Sequence, residues 1–60
     1  MTSFAKLKEL IASAEVDATA FYEKGNKAAG TRLRKAYQEI KNAAQEGRAE
    51  VLELKDKESK

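Results

Sequence analysis

Residues 21–30 of the 60-residue chain read FYEKGNKAAG. Gly25 and Asn26 stand where one helical pattern stops and another starts. Glycine just past a helix end takes the left-handed conformation without a Cβ penalty and closes the helix. The asparagine after it can cap the next helix by accepting a hydrogen bond from a free backbone N–H. The stretch therefore reads as the tight turn of an αα-hairpin. The alternative is one continuous helix, bent at Gly25.

Working outward from the turn, Phe4, Leu7, Ile11, Ala14, Ala18 and Phe21 step by 3, 4, 3, 4, 3. That spacing is a heptad seam along one helix face. Leu10 and Tyr22 widen it, and Thr2 or Ser3 can cap its start. On the other side of the turn the same alternation runs through Gly30, Leu33, Tyr37, Ile40, Ala44, Gly47, Val51 and Leu54. Ala29, Ala36 and Ala43 make a stripe of small residues beside that seam, where another helix backbone can come close. These patterns predict an all-α, antiparallel two-helix hairpin forming one domain over residues 1–60. Helix 1 is expected at about 3–24, the turn at Gly25–Asn26, helix 2 at about 27–56, and a frayed charged tail at 57–60.

A chain of this length buries only about 60% of the surface its unfolded form exposes. A two-helix hairpin also cannot cover both sides of so broad an apolar stripe. The expectation is a homodimer that closes a four-helix bundle or coiled-coil-like assembly.

Composition narrows the chemistry. The chain has no cysteine, histidine or proline and only three glycines. Disulfides, thiolate metal sites and imidazole acid–base catalysis are therefore unavailable. No apolar run approaches the roughly 20 residues of a membrane span. The opening MTSFAKLKEL lacks the plan of a secretory signal, so a cytoplasmic protein without a membrane partner is expected. Gly25 to Gly30 has the G-x-x-x-x-G spacing of a phosphate loop. Thr31 stands where that loop needs lysine, however, and a helix precedes it where a strand belongs. Glu46 and Glu50 lie four apart and read as solvated surface charges, and Tyr22 and Tyr37 as core or interface residues. With no nucleophile–base pair in sight, no enzyme and no cofactor are expected.

The charges are unevenly placed. Residues 1–23 carry Lys6 and Lys8 against Glu9, Glu15, Asp17 and Glu23. Residues 24–41 carry Lys24, Lys27, Arg32, Arg34, Lys35 and Lys41 against Glu39 alone. Lys27, Arg34, Lys41, Arg48 and Lys55 recur every seven residues and line one edge of helix 2. Glu39, Glu46 and Glu53 form a parallel acidic stripe, with Arg32 one heptad earlier. Such flanking charges can simply set partner choice in a coiled coil. At the start of helix 2, though, Lys24, Lys27, Arg32, Arg34 and Lys35 are expected to have no acid nearby except Glu23. Four free backbone N–H groups and the positive end of the helix dipole should point outward there, as in an anion site. No base-reading helix, zinc-finger spacing or aromatic RNA-binding motif is present, so nucleic-acid contacts should fall on phosphates and ignore sequence.

The stretch FYEKGNKAAGTRLRKAYQEIKNAAQE, with KLKELIASAE upstream, resembles a family of small bacterial histone-like proteins related to the chlamydial linker-histone-like nucleoid proteins. The likeness covers roughly residues 4 to 54 and is strongest over EKGNKAAGTRLRK. It implies DNA binding and nucleoid organisation. The basic positions matching the family are Lys24, Lys27, Arg32, Arg34 and Lys35, to which the charged edge adds Lys41 and Arg48 as candidate DNA contacts. Chlamydial members continue into a Lys/Ala/Pro-rich tail, whereas this sequence ends in mixed charge, so binding here should depend on the central patch. RNA is a possible second partner, and a protein-interaction module without nucleic-acid binding is the rival reading.

Overall fold

The computed structural model describes residues 2–58. Helix α1 runs Ser3–Lys24 and helix α2 Lys27–Glu58, joined by the two residues Gly25 and Asn26. They lie antiparallel in a hairpin with a Cα envelope of 52 × 15 × 14 Å. The second helix continues two residues beyond the expected 56; the last two residues of the expected tail fall outside the described residues.

Local chemistry fixes both ends of the turn. Gly25 has φ 69°, the left-handed value that closes α1. Its N–H donates to the Phe21 carbonyl at 3.0 Å, and the Asn26 N–H to the Ala20 carbonyl at 3.1 Å. Asn26 Oδ1 then accepts from the Ala29 N–H at 3.0 Å, capping α2. At the other end Thr2 Oγ1 accepts from the Ala5 N–H at 3.1 Å.

The two helices meet through small residues. The buried positions are Ala14 of α1 and Ala29, Leu33 and Ala43 of α2. Leu7, Leu10, Ala18, Ala36, Ile40 and Gly47 are half-buried around them. This corrects the expected seam by one column of the heptad. On α2 the alanine stripe at 29, 36 and 43 lies at the contact itself, and Tyr37, Ala44 and Val51 turn away from it. On α1, Phe4 and Ile11 turn away likewise. The physical reason is size, because alanine and glycine let the backbones approach and close packing excludes voids. Gly30 shows how tight the approach is: a Cβ there would lie 2.6 Å from Phe21 Cδ1. Phe21 in turn packs edge-on against Tyr22, with ring centroids 5.1 Å apart.

The flat hairpin therefore has two unlike faces. One is polar and bridged: Lys6 Nζ lies 3.6 Å from Glu46 Oε1, and Arg32 Nε donates to Asp17 Oδ1 at 3.0 Å. The other is apolar and open. Phe4 is 69% exposed, Ile11 52%, Tyr37 52% and Val51 56%. Ile11, Ala18 and Tyr37 share one depression on this face, and Phe4, Ala44 and Val51 another. At the turn end Tyr22 and Tyr37 join hydroxyls at 2.9 Å. That hydrogen bond, with lesser help from desolvation and from charge on Tyr37, raises the Tyr22 pKa.

Candidate nucleic-acid interface

The cations named from the sequence fall into three groups on this frame. Lys27, Arg34, Lys41 and Arg48 share one position of the seven-residue repeat and form a column along α2. That column borders the open apolar face, since Arg48 lines its depression beside Val51. Lys24 occupies the last turn of α1, next to the turn. Arg32 and Lys35 lie on the bridged side, in a depression that Asp17 and Glu39 also line.

Two expectations are corrected here. Arg32 has an acid at hand after all, the Asp17 carboxylate across the hairpin. Nor are all four N–H groups at the start of α2 free. The Asn26 N–H is bonded to Ala20 and that of Ala29 to the Asn26 side chain, which leaves those of Lys27 and Ala28 open. By contrast Lys24, Lys27, Arg34, Lys35, Lys41 and Arg48 take part in no ion pair among the described residues. All six are exposed. Flexible, hydrated cations without a carboxylate partner can meet phosphate oxygens without first breaking an internal bond.

Sequence reasoning missed Asp17, whose position opposite Arg32 depends on how the helices are rotated against each other. It also missed the separation of Lys35 from Arg34, which follows from the 100° between successive helical residues. Among the described residues no cluster of histidine, cysteine or acidic side chains could hold a metal ion. Nor is any helix among them long and apolar enough to cross a membrane.

The chain matches the family of histone H1-like protein Hc1 over residues 1–57. No curated protein and no solved structure matches it. The family match spans both helices and the turn, and contains the stretch of roughly residues 4 to 54 over which the resemblance was expected. A helical hairpin with surface cations that are unpaired among the described residues agrees with that match: the chain belongs to the Hc1 histone H1-like family, whose members are non-catalytic, nucleoid-associated DNA-binding proteins of bacteria.

Proposed function

We propose that this protein holds DNA by its phosphates, without reading sequence, through the cation column of α2 and the basic turn end. The observation that carries the reading is the set of six cations with no carboxylate partner among the described residues, Lys24, Lys27, Arg34, Lys35, Lys41 and Arg48. The open N–H groups of Lys27 and Ala28 add donors at the positive end of the α2 dipole. Arg32 contributes least, because a phosphate must compete with Asp17 for its guanidinium.

We further propose that the working unit is a homodimer closed through the open apolar face. Large side chains as exposed as Phe4 and Val51, aligned along one face of so small a chain, favour association. This joins the rival interaction-module reading to the first: the apolar face assembles and the cations bind.

Titration of duplex DNA against salt tests the binding mode. If each protomer neutralises about four phosphates, log K should fall against log salt with a slope near −7. Lys27→Gln with Arg34→Gln should weaken binding and flatten that slope while helicity stays unchanged; Arg32→Gln should do so much less. Binding indifferent to salt, or equal effects from all three positions, would defeat the proposal. Competition between duplex DNA and RNA in the same assay decides whether RNA is also a partner, since phosphate contacts meet both backbones.

A further inference from the structure

We infer that the two protomers pack with their two-fold axis parallel to the helices, so that both turns lie at the same end of the bundle. The inference rests on the dimer reading above and concerns its geometry.

Two flat hairpins can join apolar face to apolar face in two symmetric ways. With the axis parallel to the helices, α1 of one protomer covers α2 of the other. With the axis across the helices, α2 covers α2 and the turns lie at opposite ends. The rims decide between them. The α2 rim of the apolar face is the column Lys27, Arg34, Lys41 and Arg48, all cationic. The α1 rim is the column Lys8, Glu15 and Tyr22, in which Glu15 takes part in no ion pair among the described residues. Glu15 lines the apolar depression itself. Laying α2 on α2 would align two wholly cationic rims, whereas laying α1 on α2 sets a rim without net charge, with Glu15 at its middle, against a basic one.

The register agrees. Within the hairpin, the Lys6–Glu46 and Asp17–Arg32 pairs fix which residues of the two helices lie level. Interpolating between them, Glu15 is level with Arg34. An axis parallel to the helices preserves this level, so Glu15 of each protomer comes opposite the partner's Arg34. Exposed pairs of this kind are weak and stay at the solvent edge, so they orient the dimer without withdrawing those cations from a polyanion.

Helix lengths add a second argument. Ser3 Oγ donates to Glu50 Oε2 at 2.9 Å, so α2 beyond that level has no α1 beside it. Leu54 continues the column of Leu33, Ile40 and Gly47 that faces α1, yet it is 53% exposed. In the parallel-axis dimer the two overhanging segments leave the same end of the bundle on its diagonal, with no α1 between them, and the two Leu54 side chains face each other across the bundle axis. The cations around both turns then form one composite site.

Two measurements on the full chain test this. In Ala28→Cys, carrying a spin label, helix spacing and rise put the labels under about 30 Å apart for turns together and about 40 Å apart for turns at opposite ends. Charge reversal provides an independent readout of sign. Arg34→Glu should raise the dimer dissociation constant by about tenfold, and adding Glu15→Lys should restore it. If Arg34→Glu alone tightens the dimer, or the labels lie about 40 Å apart, the orientation is overturned while the dimer stands. A chain that remains monomeric at every concentration overturns the dimer reading and this geometry with it.

Discussion

Gly30 and Gly47 occupy the same helix and invite opposite expectations. Alanine in a helix interior is favoured over glycine by about 1 kcal/mol. At Gly47 a new Cβ would meet only Ser3 Cβ at 3.8 Å, an ordinary contact. Gly47→Ala should therefore stabilise the hairpin by about 0.5–1 kcal/mol. At Gly30 the new Cβ would lie 2.6 and 2.7 Å from two atoms of the Phe21 ring. That ring must move, and moving it disturbs its edge contact with Tyr22. Overpacking costs about 1–3 kcal/mol, which outweighs the propensity gain, so Gly30→Ala should be destabilising by about 1 kcal/mol. Chemical denaturation of the two variants beside the parent chain measures both signs. Stabilisation of equal size at both positions would show that Phe21 yields freely.

At the scale of the helix and turn, the sequence was informative where the determinants are local. Gly25 and Asn26 announce a turn because one tolerates positive φ and the other supplies a cap. α1 accordingly spans Ser3–Lys24 as its pattern suggests. What the pattern left open was the rotation of each helix about its own axis. Two adjacent columns of α2 are apolar, the one with Leu33 and Ile40 and the one with Tyr37 and Val51, and a 3–4 spacing fits a seam that uses both. The alanines beside them resolved the rotation, since only small side chains permit the closest backbone approach. Arg32 was misjudged for the same reason, its partner lying fifteen positions away on the other helix. The two caps should differ in weight. Asn26 caps the longer helix within the turn, whereas Thr2 caps an end that opens on solvent. Asn26→Ala is expected to cost about 1 kcal/mol, Asn26→Gly only a few tenths, and Thr2→Ala less than Asn26→Ala. Thermal melts by circular dichroism give the order. Equal losses from alanine and glycine at position 26 would mean that the Oδ1 bond contributes little.

For the whole molecule, two surfaces of different physical character share one narrow rod. In the proposed dimer the apolar face would associate by removing Phe4, Ile11, Tyr37 and Val51 from water, an effect that added salt does not weaken. In the proposed binding mode the cation column would act through phosphate neutralisation and counterion release, which salt weakens steeply. Salt should therefore separate the two. Between about 50 and 200 mM salt, a dimer making about eight phosphate contacts should lose roughly a thousandfold or more in DNA affinity. Over the same range its mass by sedimentation equilibrium should stay that of the dimer, and its helicity should hold. The proposed rim pairs, being exposed, would be screened, and in that proposal they orient the dimer and are not its main attraction. A mass that falls in step with DNA affinity would make charge the principal attraction between protomers and leave the apolar face without its proposed role. A mass that holds while DNA affinity also holds would instead remove phosphate neutralisation as the mode of binding, so the paired measurement assigns any failure to one surface or the other.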